Sequence, residues 1–308
     1  MEKSAKNIKK MAKASKTLSF RKYPVFSTIA LILMTIFALM IIVPLFWAII
    51  TSFKYEIDFI RNKVGFPNPR FGWRIDNYTA AFSKMTIEVT AASGQRLKFN
   101  MIGMMANTIW YTLLYSIFPL IGDIATSYGC ARYKSRWGSL MYGMVIVMMI
   151  VPIIGSTGSS LDTSRMMGAY DNPLVAAIWQ MKPSGGSRFL VCYSLFKGID
   201  KAYSEAAFID GAGNWKVFMT IMIPMAKNIL MVYWVTGLIG YWNDWNAAYI
   251  YFPGHPTIAY GLWRFTQGRA SVPVQLAGCV ILAVPMIILF ALIKDHLIGK
   301  ISFGGIKG

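Results

Sequence analysis

Long stretches without a charged residue are the feature that most limits how this chain can fold. The first of them, residues 23–53, contains no Asp, Glu, Lys or Arg. A helix needs about 20 apolar residues to cross the hydrocarbon core of a bilayer. The stretch is longer than that, it exceeds the apolar core of a signal peptide, and no cleavage site of small residues follows it. It predicts an uncleaved membrane span at 27–50.

The composition and the charge agree with a membrane protein. The chain is 56% hydrophobic and 14% charged, whereas soluble domains are about 25% charged. Its net charge is +18, but the basic residues lie in tails and short loops beside apolar runs, as the positive-inside rule requires. Anionic membrane lipid therefore explains the charge, and we expect no nucleic-acid partner. Three cysteines in or beside apolar runs do not indicate a disulfide framework.

Five further spans follow from the same reasoning. The uncharged stretches predict them at about 99–128, 137–161, 172–197, 228–251 and 270–293. The fourth is interrupted by Lys182-Pro183-Ser184-Gly185-Gly186, yet the chain must cross there because both the 132–136 loop and the 197–227 segment are basic and read as cytoplasmic. We therefore predict a broken or kinked fourth span, which is tolerated where other helices or a water-filled cavity satisfy the freed backbone groups.

The predicted fold class is an all-α membrane protein with six transmembrane helices and both termini in the cytoplasm. Its predicted organisation is a basic cytoplasmic tail (1–26), a first span (27–50), an extracytoplasmic loop (51–99), a membrane core (100–298) that includes a cytoplasmic loop at 198–227, and a cytoplasmic tail (299–308).

One cytoplasmic loop carries a spaced pattern. Glu205-Ala206-Ala207 precedes Gly211 by three residues, and nine residues later Ile221 and Pro224 complete it. Ser204 is a capping residue before an acid and two strong helix formers, so a helix is predicted to start there and to stop at Gly211 or Gly213. A second helix would follow over 215–221, and Pro224 would prevent an unbroken ladder into the fifth span. An ordinary amphipathic loop is the alternative, and it would have to match seven positions by chance.

The pattern resembles the signature loop of permeases from binding-protein-dependent ABC importers. Asn107-Thr108, Tyr128 with Ala131-Arg132-Tyr133, and the ending Gly304-Gly305-Ile306-Lys307-Gly308 extend the resemblance from about residue 100 to the C-terminus. Within that family the chain is most similar to the second permease of carbohydrate importers of the maltose type. Ile223, where leucine is usual, and the break before the loop are its departures.

The resemblance implies a type I importer permease fold in the bacterial cytoplasmic membrane. The residues that would couple it to an ATPase are Glu205, Ala206, Ala207, Asp210, Gly211, Ile221 and Pro224. The implied partners are a homologous second permease, two ATPase subunits and an extracytoplasmic solute-binding protein. ATP and Mg would belong to the ATPase. For this chain we expect no cofactor, no metal and no catalytic residue, because it has neither a G-x-x-x-x-G-K-[ST] nor an H-E-x-x-H pattern.

A polar and aromatic run in the fifth span is the candidate substrate pathway: Trp242, Asn243, Asp244, Trp245 and Asn246. An acid inside a membrane is costly unless it faces water or a partner. Aromatic faces stack on sugar rings, and Asn and Asp hydrogen-bond hydroxyls. The alternative is an aromatic belt at the membrane interface. Asp123, in the second predicted span, is also a candidate for the substrate pathway. Alternatively, it pairs with Arg132 or Lys134 at the cytoplasmic end of that span.

Three other functions remain open at this point. A permease for another solute class, such as an amino acid or phosphate, would keep the same loop. A secondary transporter or channel working alone would need ionisable residues in several spans, and only Asp123 and Asp244 qualify. An assembly factor would use the loop for docking alone.

Overall fold

A computed structural model describes residues 24–133, 135–151, 155–182 and 186–298. The chain divides into two compact units, Met1–Arg74 and Ile75–Gly308, and each is described by itself. Most of the predicted basic tail, the predicted C-terminal tail and residues 183–185 of the predicted break in the fourth span lie outside the described residues.

The first unit contains a helix of span length. Helix α1 covers Pro24–Ser52, which at 1.5 Å per residue is about 44 Å. It covers the predicted first span, and none of its most apolar part is buried. A surface that is apolar all round is what a helix presents to lipid or to other membrane helices.

A short polar network follows α1. Helix α2 is Glu56–Arg61, and the buried Lys54 donates through Nζ to the carbonyl of Asn62 at 2.7 Å. Asp58 accepts from the backbone N–H of Asn68 at 2.9 Å. Burial lowers the pKa of Lys54, and the charge of Asp58 partly offsets that effect. These bonds fold the 54–68 segment back on itself beyond the end of α1.

The second unit begins outside the predicted membrane core. Helix α3 (Asp76–Lys84) leads into strands β1 (Ile87–Thr90) and β2 (Arg96–Phe99). The strands pair antiparallel, with Ile87 opposite Phe99 and Thr90 opposite Arg96. This hairpin corrects the expectation of an all-α chain. Apolar and polar residues alternate on β1, so one face of the hairpin is buried. A search for membrane spans does not detect so short a pattern.

The remaining elements are helical. In chain order they are α4 (Met101–Arg132), α5 (Arg136–Ile150), α6 (Thr157–Met166), α7 (Pro173–Trp179), α8 (Ser187–Gly198), α9 (Lys201–Ile209), α10 (Asn214–Val217), a π-helical turn (Phe218–Met222), α11 (Ile223–Trp242), α12 (Asn246–Tyr251), α13 (Ile258–Thr266) and α14 (Val272–Ile298).

Helix α4 lies at the centre of this unit. It packs against α8 and α11 and also contacts α5, α7 and α13. The side chain of Asn100 caps its start by accepting from the backbone N–H of Gly103 at 2.9 Å. Its buried side chains include the polar Thr108, Thr112, Ser116 and Asp123. The face of α4 that carries these polar groups is therefore covered by protein rather than by lipid.

Four helices of the described residues are long and apolar enough to span a membrane. They are Val25–Ser52, Met101–Arg132, Asn214–Trp242 and Val272–Lys294. The predicted third span is wrong as a single helix, because α5 ends at Ile150 and the chain turns at Gly155 with φ of 77°. The predicted break in the fourth span is confirmed: α7 and α8 are separate helices with residues 180–186 between them.

The fifth span starts earlier than predicted. The helix runs without interruption from Asn214 to Trp242, although Pro224 lies within it. Pro224 is in the first turn of α11, directly after the π-helical turn Phe218–Met222. The hydrogen-bond pattern already changes there, so the missing N–H of proline removes little. The helix therefore continues past Pro224, and the break predicted in the ladder takes the form of a π-helical turn rather than an end of the helix.

Candidate functional site

The 198–227 segment forms a helical loop whose first helix is α9. Asp200 caps this helix by accepting from the backbone N–H of Ala202 at 3.0 Å. The helix therefore starts at Lys201, earlier than the predicted start at Ser204, because an aspartate further upstream supplies the cap.

The end of α9 is a glycine corner, as predicted. Gly211 has φ of 80°, a conformation that costs other residues about 1–2 kcal/mol. The N–H of Ala212 donates to Ala207 at 2.9 Å, and the N–H of Gly211 donates to Phe208 at 3.0 Å. These two bonds are the Schellman arrangement, which satisfies the last carbonyls of a helix and fixes the direction in which the chain leaves it.

The outer surface of this loop is apolar and exposed. Helix α9 has no buried residue, Ile209 is 86% exposed and Trp215 is 72% exposed. Exposed apolar groups of this size next to polar ones mark interaction surfaces. Of the predicted coupling residues, Glu205, Ala206, Asp210, Gly211 and Pro224 are exposed, whereas Ala207 and Ile221 pack against the protein.

The inner side of the loop is joined to the ends of α4 and α8. The ring of Tyr128 on α4 lies 4.6 Å from that of Phe218 and 5.5 Å from that of Phe196 on α8. Arg132 contacts the sulfur of Met222 at 3.4 Å. A movement of the loop would therefore be passed to α4 and α8 through packed side chains.

A cavity of about 410 Å³ lies toward the opposite end of α4. Its aromatic lining consists of Tyr111, Tyr115, Trp179, Tyr241, Tyr251 and Phe252. Its polar lining consists of Ser159, Ser160, Thr163, Ser164, Gln180, Lys182 and Asp244. Aromatic faces combined with hydroxyl, amide and charged groups are suited to a polar ligand with apolar ring faces, such as a sugar.

The tyrosines of the cavity form one cluster. Tyr111 and Tyr115, one turn apart on α4, have ring centroids 4.5 Å apart. The ring of Tyr241 on α11 is 6.1 Å from Tyr111 and 5.7 Å from Tyr115. The hydroxyl of Tyr115, a residue that is 4% exposed, has no hydrogen-bond partner among the described residues. A buried hydroxyl is costly when unpaired, so this one is available to water or a ligand.

Asp244 is held by three donors. Its carboxylate accepts from the hydroxyl of Tyr111 at 3.2 Å and from the backbone N–H groups of Asn246 and Ala247 at 3.0 and 3.1 Å. It therefore caps α12 while contributing to the cavity wall. An acid in the fifth span was expected to need a partner. Tyr111, which lies 133 residues earlier in the chain, is that partner.

The other four residues of the predicted pathway lie elsewhere. Trp242 is buried, and Asn243 donates to the carbonyl of Ile239 in its own helix at 2.8 Å. Trp245 stacks on Trp263 with centroids 4.6 Å apart, and Asn246 is exposed at the start of α12. The cavity tyrosines were missed, although a Tyr-x-x-x-Tyr spacing on α4 places both rings on one helix face.

Asp123 pairs with a residue that the sequence analysis did not name. Its fully buried carboxylate pairs with the guanidinium of Arg188 on α8. It does not pair with Arg132, and Lys134 lies outside the described residues. The pairing follows from the packing of α8 against α4. An arginine next to the apolar 189–196 stretch was the signal in the sequence that could have pointed to it.

Helices of span length, a cavity with polar and aromatic lining beside α4 and α11, and an exposed helical loop at the other end of α4 are the features of a membrane permease. The chain belongs to the family of inner membrane components of binding-protein-dependent transport systems, whose model matches residues 120–302. The resemblance drawn from the Glu205–Pro224 pattern is thereby confirmed.

Related proteins match most of the chain. A probable ABC transporter permease of Bacillus subtilis is 23% identical, covering 94% of this chain and 91% of its own. The diacetylchitobiose uptake system permease of Streptomyces coelicolor is 22% identical, with 91% and 88% covered. The maltodextrin transport system permease of Bacillus subtilis is also 22% identical, with 89% and 94% covered.

Solved structures share the fold. A chain of a bacterial ABC transporter involved in the import of the acidic polysaccharide alginate superposes with a TM-score of 0.65 at 20% identity, over 91% of this chain and 98% of that one. A bacterial alginate ABC transporter in complex with alginate pentasaccharide-bound periplasmic protein gives a TM-score of 0.60 at 15% identity, over 92% and 99%. The chain thus has the fold of an ABC importer permease.

Proposed function

We propose that this chain is one of two permease subunits of an ATP-driven importer for carbohydrates. The observation that carries the proposal is the cavity, where the rings of Tyr111, Tyr115 and Tyr241 lie beside hydroxyl groups and the carboxylate of Asp244. Stacking on aromatic rings and hydrogen bonds to hydroxyls together favour sugars over simple ions or small apolar solutes. Relatives named for diacetylchitobiose and maltodextrin transport support this class of substrate.

The exposed loop would link the pathway to ATP hydrolysis. Two ATPase subunits, which bind ATP and Mg, would dock on this loop and on that of a homologous second permease. Their closure would push α9, and the packing of Tyr128 on Phe218 and Phe196 would pass the movement to α4 and α8. The cavity would then change its access from one side of the membrane to the other, while this chain carries out no catalysis.

The proposed location is the bacterial cytoplasmic membrane with both termini inside. The loop at Lys201–Ile209 then faces the cytoplasm and its ATPase, and the β1–β2 hairpin faces outside. An extracytoplasmic binding protein would deliver the sugar on that outer side, next to the cavity.

The test is sugar-stimulated ATP hydrolysis by the complete importer in proteoliposomes. Wild type is compared with Gly211→Asp, which places a side chain at a positive φ in the exposed corner. Gly213→Ala is the matched control, because Gly213 has φ of −76° and open space around its Cα. We expect oligosaccharide with binding protein to stimulate hydrolysis in wild type and control but not in Gly211→Asp.

Two results would contradict the proposal. If ATP hydrolysis responds to an amino acid or phosphate rather than to sugars, the chain is an importer permease for a different substrate. Hydrolysis indifferent both to solutes and to Gly211→Asp, together with transport by the permease alone, would favour a transporter that works without an ATPase.

A further inference from the structure

The cavity contains two charged side chains among the described residues, and only one of them has its charge satisfied by the protein. Asp244 accepts three hydrogen bonds, from Tyr111, Asn246 and Ala247. Lys182 lines the same cavity, and no carboxylate of the described residues lies within ion-pair distance of it.

Lys182 lies in the break between α7 and α8, where the chain comes against α4. A Cβ added to Gly122 would collide with the carbonyl group of Met181, so the break touches the α4 backbone directly. Gly122 is ten residues before Arg132, the last residue of α4, which corresponds to about 15 Å along the axis. Lys182 therefore lies beside α4 with an exposed side chain, so its ammonium group is open to water or to an anion in the cavity.

The acids Asp123 on α4 and Asp244 on the cavity wall already have partners in the protein. The carboxylate of Asp123 is fully buried and bound by Arg188, whose side chain is 18% exposed. Asp244 serves as the cap of α12. The positive charge of Lys182 is thus left to whatever fills the cavity.

We infer that the cavity takes a carbohydrate that carries a carboxylate, such as a uronate oligosaccharide, and that Lys182 pairs with this group. The inference rests on the proposed function and specifies its substrate. The aromatic rings would stack on the sugar, and the unpartnered hydroxyl of Tyr115 would hydrogen-bond one of its oxygens. Lys182 would then select substrates by charge, whereas the tyrosines would bind acidic and neutral rings alike.

The experiment compares transport of two probes of equal length, tetragalacturonate and maltotetraose, by the complete importer in proteoliposomes with its binding protein. The variants are Lys182→Met, which removes the charge at similar length, and Lys182→Arg, which keeps it. Lys63→Met is the control, because Lys63 is an exposed lysine outside the cavity. The readout is the transport rate of each probe, measured with a saturating concentration of probe-loaded binding protein. The binding protein is the same for every variant.

We expect tetragalacturonate to be the transported probe. Lys182→Met should reduce its rate about tenfold, as for loss of a charge-assisted contact, while Lys182→Arg and Lys63→Met retain most of it. Each variant is also checked for basal ATP hydrolysis, so that a loss of folding is recognised. Recovery in Lys182→Arg identifies the effect as one of charge rather than of packing.

Three outcomes would overturn the inference. Transport of maltotetraose alone, unchanged in Lys182→Met, leaves the carbohydrate importer standing and removes the acidic substrate. If Lys182→Met and wild type transport tetragalacturonate at equal rates, Lys182 does not select the substrate by its charge. If neither probe, nor any other oligosaccharide tested, is transported by an importer with intact basal hydrolysis, the proposed carbohydrate function itself fails.

Discussion

Asp123 and Arg188 form an ion pair that joins α4 to α8 across 65 residues of sequence. The carboxylate is fully buried and the guanidinium is mostly buried. Removal of one partner from such a pair leaves an uncompensated charge, which is strongly destabilising even where the intact pair adds little. The pair therefore fixes the second half of the broken span against the central helix.

Asp123→Asn should destabilise the protein by about 3 kcal/mol, because Arg188 is left buried without a counter-charge. Thermal unfolding of the detergent-purified permease measures the effect. Arg188→Gln should cost a similar amount, and the double variant should cost less than the sum of the two. Asp162→Asn is the control, since Asp162 forms an exposed pair with Arg165. Strict additivity of the two changes would show that the pair has no coupling energy.

Tyr111→Phe and Tyr115→Phe should differ in their effect on stability. Tyr111 donates to Asp244, so loss of its hydroxyl should cost about 1–3 kcal/mol. The hydroxyl of Tyr115 has no partner among the described residues, so its loss should be neutral or stabilising. Thermal unfolding of the two variants side by side tests the contrast. An equal loss in both would mean that cavity water already binds the hydroxyl of Tyr115.

Ile209→Glu should weaken docking of the ATPase without affecting the fold. Ile209 is 86% exposed at the end of α9, so a charge there should lower recovery of the ATPase in a pull-down from membranes by about tenfold, as for loss of an apolar anchor. Ile60→Glu is the control, because Ile60 is also exposed but belongs to α2. Full recovery of the ATPase with Ile209→Glu would place the docking surface elsewhere.

Asp171→Ala should loosen three loops near the cavity at once. The carboxylate of Asp171 accepts from the N–H groups of Ala92 and Gly254, both at 2.7 Å, and contacts Nδ1 of His255 at 3.2 Å. Hydrogen exchange should speed up at the amides of Ala92 and Gly254, which lose their acceptor. Asp171→Asn tolerates the φ of 54° at this position but keeps only one acceptor oxygen, so it should preserve the protection at one of the two amides and not at the other.

Hydrogen exchange at the amide of Val89 on β1 should change less, because Val89 pairs with Leu97 on β2 and does not contact Asp171. If the amides of Ala92 and Gly254 exchanged equally fast in wild type and Asp171→Ala, the carboxylate would not be what holds these loops.

The amino-acid sequence alone was enough to place, in outline, the helices of span length and the loop that carries the family pattern. An apolar run of about 20 residues has few alternatives to a helix in lipid, so helices of span length lie at the first, second, fifth and sixth predicted positions. The corner at Gly211 was also predictable, because a positive φ after a helix end selects glycine.

Helix ends and kinks were less predictable. Asp200, rather than Ser204, caps α9, and a π-helical turn lets the helix pass Pro224. At α9 the upstream aspartate sets the start of the helix, and at Pro224 the π-helical turn accommodates the missing N–H.

The side chains that line the cavity and the charges that pair depend on how the helices pack. Apart from the polar stripe of α4, the spans are apolar on most sides, so the sequence does not say which face of those helices turns inward. Helix packing sets those rotations, and it brings Tyr111 to Asp244 and Arg188 to Asp123 across long separations in the chain. The same packing turns Trp242 and Asn243 away from the cavity and places Lys182 on its wall.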